Sequence, residues 1–417
     1  MTNEPLQPEM NVGTAGHVDH GKSTLVQALT GIWPERHSEE LRRGITIKLG
    51  YANADLRKCP SCDEPRCYTT SKTCPIDGKE TVLLRKISLV DCPGHDTLMA
   101  TMLAGSTLMD AVLFVISSNE PVPQPQTREH LMALKIMGVS QMIVVQTKIE
   151  LVSDEEALKN YEQIVSFLEA NLGQVPPIIP VSALHGVNID FLIREMVKRF
   201  NPPERDPTKP PRMYVARSFD VNKPGTRPEK LVGGVLGGTI IQGKFRVGDD
   251  IEIRPGAYRT GKFIPLTTKI ISLKSENTPL EEARPGGLIG VGTLLDPALT
   301  KADNMMGSVV GTPGELPPAW SELDLEANFF DKIVGLKEEI PVSKPKSGDF
   351  IQLNVGTATI PSVLKEITGE GFMKLAVRIP AVAELGQRVA ISARVANRWR
   401  LIGYGHVRGG VEYKFHS

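Results

Sequence analysis

The sequence contains Gly16-His17-Val18-Asp19-His20-Gly21-Lys22-Ser23, which fits the pattern G-x-x-x-x-G-K-S. An apolar, β-rich run precedes it and a helical pattern begins at Thr24, so the motif lies between a strand and a helix. Its glycines let backbone N–H groups curl around phosphate oxygens, and the helix N-terminus adds partial positive charge. We therefore predict a phosphate-binding loop in which Lys22 reaches the β and γ phosphates and the Ser23 hydroxyl ligates Mg²⁺. The candidate nucleotide-contacting residues are Asp19, His20, Gly21, Lys22, Ser23 and Thr24.

Short apolar runs alternate with helical patterns around this loop, as far as about Phe200. The runs are Asn11 to Ala15, Ile87 to Asp91, Ala111 to Ile116, Met142 to Gln146 and Ile178 to Val181. Amphipathic stretches lie at Glu155 to Glu169 and Ile189 to Phe200. This β-α-β rhythm predicts a doubly wound α/β domain, the P-loop type, with a mostly parallel sheet.

A second motif, Asp91-Cys92-Pro93-Gly94-His95, ends one of the predicted strands. The carboxyl edge of a parallel sheet is where ligands of such domains bind. We expect Asp91 to hold Mg²⁺ through a water molecule, the Gly94 backbone to sense the γ-phosphate and His95 to orient the attacking water. Cys92 is expected to be a small buried residue rather than a nucleophile.

Between these motifs lies Arg42-Arg43-Gly44-Ile45-Thr46-Ile47. The Thr46 hydroxyl could complete the Mg²⁺ shell only while the γ-phosphate is present. The preceding loop would then be a switch that orders with triphosphate and relaxes after hydrolysis.

The rest of the chain predicts two small β-barrel domains. Past a Pro-rich stretch at 201–211, which suits a linker, the helical period nearly vanishes and short strands lie between Gly and Pro residues. A second break lies at Thr312-Pro313-Gly314 and Pro317-Pro318. We expect a nucleoside triphosphatase domain at 1–205 with a cysteine-containing insertion near 56–80, and barrels at 206–317 and 318–417.

Composition excludes several classes of protein. The 417 residues include 48 Lys plus Arg and 48 Asp plus Glu, so the formal net charge is zero and a uniformly basic nucleic-acid coat is excluded. No secretory signal and no run of 18 apolar residues is evident. We expect a soluble cytoplasmic protein without a membrane partner.

These motifs together resemble the translational GTPases, and within them the gamma subunits of archaeal and eukaryotic translation initiation factor 2. The resemblance covers essentially the whole chain. The segments that carry it beyond the phosphate motifs are Gly31-Ile32-Trp33, Ser38 to Gly44, Asn119-Glu120-Pro121, Gln124 to His130, Ser218 to Thr226 and Lys301-Ala302-Asp303-Asn304.

The resemblance implies a guanine pocket in which this chain departs from the family pattern. Asn-Lys-x-Asp is replaced by Thr147-Lys148-Ile149-Glu150. Glu150 can still accept hydrogen bonds from the base, whereas Thr147 lacks the amide donor and acceptor of Asn. The stretch Ser182-Ala183-Leu184 resembles the last guanine-contacting loop. The family also links the equivalents of Asp19 and Gly44 to a second Mg²⁺.

Four of the five cysteines lie between Cys59 and Cys74, a crowding that favours structural metal binding, most simply Zn²⁺. Cys59-Pro60-Ser61-Cys62 is one C-x-x-C knuckle. The family has a second pair, which here reads Cys74-Pro75-Ile76-Asp77. The fourth ligand is either Asp77, which register favours, or Cys67, which the softness of sulfur favours.

The resemblance further implies a carrier of initiator methionyl-tRNA that forms a heterotrimer with alpha and beta subunits and acts on the small ribosomal subunit. The last barrel carries basic and aromatic residues that could contact phosphates or form a solvated strand face. They are Arg394, Arg398, Trp399, Arg400, Tyr404, His406 and Arg408.

The leading hypothesis is a GTPase that hydrolyses GTP to GDP and phosphate, with Lys22, Thr46 and His95 as its catalytic residues. Two alternatives remain open. One is an elongation-type or selenocysteine-type aminoacyl-tRNA carrier, and the other is a scaffold that binds nucleotide without hydrolysing it.

Overall fold

A computed structural model describes residues 6–34, 46, 48–95, 98–335, 340–369, 371–395 and 398–415. Gly44 and the rest of the predicted switch except Thr46 lie outside these residues. The chain divides into two compact units. One comprises Met1–Pro203 and Val334–Lys337, and the other comprises Glu204–Ile333 and Glu338–Ser417.

The first unit is built on a seven-stranded sheet with the order β3-β2-β4-β1-β5-β6-β7. The strands are β1 Met10–Gly16, β2 Gly50–Lys58, β3 Tyr68–Thr69, β4 Val82–Asp91, β5 Ala111–Ser117, β6 Gln141–Thr147 and β7 Ile178–Pro180. The five strands from β4 to β7 in this order are parallel, while β2 and β3 extend the sheet with antiparallel pairing. The predicted mostly parallel sheet is confirmed.

Helices cover both faces of this sheet. They are α1 Lys22–Thr30, α2 Met99–Ser106, α3 Pro125–Met137, α4 Asp154–Leu172 and α5 Ile189–Arg199. Leu113 and Val115 of β5 pack in one apolar cluster with residues of α1 and α5, while the alternate Val112 and Phe114 are buried on the opposite face. None of the helices among the described residues is long and apolar enough to span a membrane.

The local sequence explains where these helices begin and end. Ser153 caps α4 in a reciprocal capping box with Glu156, and Gly173 ends that helix in the left-handed conformation. Pro125 opens α3, where its missing N–H has no helical partner to lose.

An insertion joins β2 to β4 and contains the four clustered cysteines. Buried Arg57 closes its base, because Nε donates to Thr81 Oγ1 at 2.9 Å and Nη2 donates to the Thr81 carbonyl at 2.9 Å. This arrangement holds the two ends of the insertion together.

The second unit contains two six-stranded barrels, as predicted. In the first, pairing of β11 with β12 closes the order β11-β16-β8-β9-β15-β12. Its elements are β8 Arg212–Phe219, β9 Val235–Gln242, β10 Phe245–Arg246, β11 Asp250–Arg259, β12 Lys262–Ser275, β13 Thr278–Leu280, β14 Glu282–Ala283, β15 Leu288–Thr293, α6 Pro297–Thr300 and β16 Val309–Gly311.

The second barrel is closed in the order β17-β20-β19-β18-β21-β22. Its strands are β17 Ala319–Phe329, β18 Phe350–Val355, β19 Ala358–Ile367, β20 Phe372–Val382, β21 Arg388–Val395 and β22 Arg398–Glu412. A buried hydrogen bond from Thr357 Oγ1 to the Val215 carbonyl, 2.8 Å long, joins this barrel to the first.

Candidate functional site

The predicted phosphate loop turns sharply between β1 and α1. Asp19 and Gly21 adopt left-handed backbone conformations with φ of 61° and 84°, and the Gly21 carbonyl accepts the first helical hydrogen bond from Leu25. The left-handed residues change the direction of the backbone between β1 and α1. The phosphate loop therefore leads directly into the N-terminus of α1, where backbone N–H groups lack helical partners.

The loop borders a pocket of about 450 Å³ at the carboxyl edge of the sheet. The structure brings together most of the predicted phosphate-side residues around it. The lining residues are Val18, Asp19, Gly21, Lys22, Ser23, Thr24, Trp33, Thr46, Gly94, His95 and Lys148. The sequence did not predict that Trp33 lines this pocket, because no local pattern around it indicates a contact with the phosphate loop.

Three oxygen-bearing side chains meet at this edge. Ser23 Oγ donates to Asp91 Oδ2 at 2.7 Å and lies 3.2 Å from Thr46 Oγ1. Asp91 is fully buried, and its other oxygen accepts a hydrogen bond from Thr14 Oγ1 at 2.6 Å. Hydroxyl and carboxylate oxygens are the donors that Mg²⁺ prefers, so this cluster fits the ion.

Lys22 lies against the loop itself. Its Nζ donates to the carbonyls of Gly16 at 3.1 Å and His17 at 2.6 Å, and only 6% of the residue is exposed. Gly94 packs directly on this region, since a Cβ added there would lie 2.5 Å from Lys22 Nζ and 2.7 Å from the Val18 nitrogen. Glycine is therefore required at position 94 by close approach rather than by backbone conformation.

The residues expected to select the base are only partly gathered at the pocket. Thr147 is buried beneath it, and its Oγ1 donates to the His20 carbonyl at 2.7 Å. Lys148 is left-handed with φ of 58°, and its carbonyl accepts from Ser118 Oγ at 2.8 Å. Glu150 is exposed in the short helical turn that follows.

The Ser182-Ala183-Leu184 stretch follows β7, next to the end of β6. Ser182 is buried, and its Oγ accepts a hydrogen bond from the His185 amide at 3.3 Å. Leu184 is 71% exposed. Among the described residues, neither Glu150 nor these three line the pocket beside the phosphate loop.

Two buried histidines, one in the loop and one on α3, contribute to this part of the site. His20 lies 3.2 Å from the Val115 carbonyl through Nδ1 and 3.4 Å from a Glu120 carboxylate oxygen through Nε2. His130 on α3 accepts a hydrogen bond from the Gly16 amide through Nδ1 at 3.0 Å. Burial, aided by nearby Lys22, lowers the pKa of each to about 3. Sequence reasoning missed His130, because no local signal reveals a contact made across the fold.

The insertion gathers a second chemical cluster. Single ligand atoms from Cys59, Cys62, Cys74 and Asp77 lie within 4.8 Å of one another. Cys67 is not in this group of described residues, and its backbone instead pairs with Cys59 and Asp63. Three sulfurs and one carboxylate oxygen at this separation fit a tetrahedral ion such as Zn²⁺.

The carboxylate of Asp77 is held in place by its neighbours. Ser61 Oγ donates to Oδ2, and the Lys79 amide donates to Oδ1 at 3.1 Å. These hydrogen bonds, Ser61 foremost, lower the pKa of Asp77. The hydrogen bond with Ser61 also lowers the pKa of the Cys59 thiol to about 7, whereas that with Cys59 raises the pKa of Cys62 to about 12.

Cys92 lies apart from the clustered cysteines and is fully buried. Burial raises the pKa of its thiol, which keeps it protonated and inert, in line with the expected small core residue.

The basic and aromatic residues of the last barrel are not equally available. Arg400 is buried, while Arg394, Arg398 and Arg408 are exposed. The Arg408 charge is paired with Glu326. Tyr404 packs edge-on against His406 at 5.9 Å.

Comparison with known proteins matches three parts of the chain to described families. Residues 7–202 match "Elongation factor Tu GTP binding domain", 233–301 match "Elongation factor Tu domain 2" and 321–407 match "Initiation factor eIF2 gamma, C terminal". The protein named translation initiation factor 2 subunit gamma from Pyrococcus abyssi is 54% identical over 406 residues, or 96% of this chain and 98% of that protein. Its namesake from Methanocaldococcus jannaschii is 54% identical over 407 residues, or 97% and 98%.

Solved structures show the same fold at lower identity. A bacterial selenocysteine-specific elongation factor, EF-Sec, has a TM-score of 0.74 at 24% identity, over 96% of this chain and 58% of that chain. Elongation factor SelB from Methanococcus maripaludis, in complex with the GTP analogue GppNHp, has a TM-score of 0.70 at 22% identity, over 97% of this chain and 79% of that chain.

Replacing Gly94 with alanine is expected to weaken binding of a fluorescent, non-hydrolysable GTP analogue by about tenfold or more, equivalent to about 1.4 kcal/mol. The added Cβ would collide with Lys22 Nζ and the Val18 amide, so the loop must shift. Gly369→Ala is the matched control, since a Cβ there meets nothing within 4 Å. Equal affinity of Gly94→Ala and wild type in a fluorescence titration would contradict the close-packing argument.

Proposed function

This chain belongs to the gamma subunits of translation initiation factor 2, a family of translational GTPases, and from that premise we propose that it carries initiator methionyl-tRNA to the small ribosomal subunit. Similarity to named gamma subunits extends over 96% of the chain, so it includes both barrels as well as the nucleotide-binding unit. The observation that carries the nucleotide part of the proposal is the meeting of Ser23, Thr46 and Asp91 oxygens beside the phosphate loop.

In the proposed cycle, the Lys22 ammonium neutralises the β and γ phosphates. Ser23 and Thr46 would ligate Mg²⁺ directly and Asp91 through water. The bound ion supplies charge neutralisation to the phosphates. Asp19, exposed on the loop, and Gly44 are the candidates for a second Mg²⁺. The Gly94 amide would sense the γ-phosphate from its position against the phosphate loop.

Guanine selection is assigned to the residues after β6 and β7. Lys148 lines the pocket. Glu150, two residues later, is exposed, so its carboxylate can turn toward a bound base. Thr147 serves the phosphate loop through its bond to the His20 carbonyl. Ser182, Ala183 and Leu184 complete the base-contacting set.

His95 is the candidate for orienting the attacking water, since it is half-buried and lines the pocket with Lys22 and Thr46. The described residues that line the pocket include no arginine that could stabilise the charge of the transition state. We therefore expect GTP hydrolysis to be slow without partner proteins.

The selenocysteine-type alternative rests on solved structures that are 24% and 22% identical, which is evidence for a shared fold only. The 54% identity to named gamma subunits favours initiator tRNA as the cargo. We further assign alpha and beta subunits as partners in a heterotrimer and the cytoplasm as the site of action, where small ribosomal subunits begin translation.

The cysteine cluster is proposed to hold one structural Zn²⁺ through Cys59, Cys62, Cys74 and Asp77. Their proximity and the two hydrogen bonds that orient the carboxylate support this ligand set over one with Cys67. Four protein ligands leave no open position for chemistry.

Initiator methionyl-tRNA is expected to bind the GTP form at least about tenfold more tightly than the GDP form, the usual scale of such coupling. Binding would be measured with the assembled heterotrimer, with charged and uncharged initiator tRNA and charged elongator tRNA as comparisons. Equal affinity for initiator and elongator methionyl-tRNA would favour the elongation-type alternative, and nucleotide-independent binding would contradict the gated cycle.

His95→Ala is expected to slow single-turnover GTP hydrolysis by about a hundredfold, the scale of lost general acid–base or water-orienting assistance. Ribosomal subunits and partner factors are present in the assay. His185→Ala, a change of an exposed histidine, is the control. Equal rates for His95→Ala and wild type would remove His95 from the mechanism, and no hydrolysis by wild type would favour the non-hydrolysing scaffold.

Protein purified without added zinc is expected to contain roughly one zinc ion per chain, a content that Cys67→Ala retains and Asp77→Ala largely loses. Elemental analysis gives the content. The visible spectrum of the cobalt-substituted protein reports the number of thiolates independently. Retention by Asp77→Ala together with loss by Cys67→Ala would reverse the assignment.

A further inference from the structure

We propose that His130 is a positioning residue of the phosphate loop: its Nδ1 accepts the hydrogen bond of the Gly16 amide and holds the first residue of the loop in its nucleotide-binding shape. The inference rests on the proposed role of this loop in binding nucleotide. It assigns a function to a side chain that lies behind the loop and is absent from the lining of the pocket among the described residues.

The contact is short, buried and made between distant parts of the chain. The Gly16 nitrogen lies 3.0 Å from His130 Nδ1, across 114 residues of sequence. His130 is 1% exposed, so water cannot readily replace it as the acceptor. A buried amide left without an acceptor is unfavourable, because it has given up its hydrogen bond to water without replacing it.

The Gly16 amide requires an acceptor because it lies at the end of β1. Pairing of β1 with β4 ends at Thr14 and Asp91, two residues before Gly16. Gly16 itself lies directly on β5, because an added Cβ would be 2.2 Å from the Val115 carbonyl. Gly16 is thus the last residue of β1, still paired with Val115 of β5 but beyond the pairing with β4, and His130 supplies the acceptor for its amide.

The same glycine is held on its other side by Lys22, whose Nζ donates to the Gly16 carbonyl at 3.1 Å. That ammonium has three N–H donors, so a bound nucleotide would compete with the loop carbonyls for them. The contact with His130 is made through the Gly16 amide instead, and the imidazole lies outside the lining of the pocket, so a nucleotide does not compete for it.

The surroundings keep the imidazole in the form that this contact needs. Burial lowers the pKa of His130 to about 3, and the neighbouring Lys22, His17 and His20 oppose its protonation further. A neutral ring with its proton on Nε2 leaves Nδ1 as an acceptor. The ring is carried by α3, where Leu131 and Leu134 are buried, so its position is fixed by the core.

The test compares His130→Leu with His130→Asn. Asparagine places Oδ1 as many bonds from the backbone as Nδ1 of histidine and can accept the same hydrogen bond, whereas leucine fills similar space without an acceptor. We expect His130→Leu to release a fluorescent GDP analogue about tenfold faster than wild type, the equivalent of one lost hydrogen bond. His130→Asn should stay within about threefold, which is less than half that free energy.

Two outcomes overturn the proposal. Release from His130→Leu at the wild-type rate means that the hydrogen bond does not matter, and equal acceleration in both variants means that His130 acts only by packing. If the loop did not bind nucleotide at all, the wild-type protein itself would not retain GDP, which distinguishes that failure from a failure of the His130 proposal.

Nuclear magnetic resonance provides a readout that needs no nucleotide. Labelling alanine carbonyl carbons with ¹³C and glycine nitrogens with ¹⁵N selects Ala15–Gly16 and Ala104–Gly105, the two Ala–Gly pairs in the sequence. The Gly16 amide signal should move in His130→Leu and largely return in His130→Asn, while Gly105 reports that the fold is intact. In wild type, ¹⁵N-labelled histidine should show His130 protonated on Nε2, and protonation on Nδ1 would overturn the proposal even if His130→Leu did not fold.

Discussion

Two hydroxyl groups hold the buried carboxylate of Asp91, and the geometry of the nucleotide site depends on that arrangement. Thr14 on β1 donates to one oxygen at 2.6 Å, and Ser23 at the start of α1 donates to the other at 2.7 Å. A carboxylate buried without partners would be strongly unfavourable, so the contacts fix β1, β4 and α1 relative to one another. Because the same Ser23 hydroxyl lies 3.2 Å from Thr46 Oγ1, the carboxylate also gathers the hard oxygens that suit Mg²⁺.

The phosphate loop keeps its shape through contacts with residues far away in sequence. Thr147 reaches the His20 carbonyl across 127 residues, and His130 reaches the Gly16 amide across 114. The first contact joins the end of β6, where we propose that the base binds, to the phosphate loop, so Thr147 retains a connection to the loop although it lacks the amide of the family's asparagine. A glycine-containing loop has little conformational preference of its own, and such contacts restrict it.

Hydrophobic periodicity predicted the class of both units, and it placed helices such as Asp154–Leu172 within a few residues. In Ala319–Phe329 charged residues alternate with apolar ones, as in a half-buried strand, but this pattern does not reveal that its barrel neighbours are β20 and β22, which lie far along the chain. The basic residues of the last barrel are not all exposed and unpaired, because Arg400 is buried and Arg408 is paired with Glu326. Residue type alone does not say which side of a bulged strand faces solvent.

Motif spacing and alternation of apolar residues were sufficient to identify the phosphate loop, the Asp91–His95 motif, the cysteine-containing insertion and the order of an α/β unit before two barrels. These features are local, because backbone geometry and residue chemistry act over a few positions. The choice of Asp77 over Cys67 in the cysteine cluster, the backing of the loop by His130 and the closeness of Gly94 to Lys22 emerged only in the folded chain. Each depends on which distant segments the packing of strands and helices brings within a few ångströms, and that information is spread over the whole sequence rather than held in one motif.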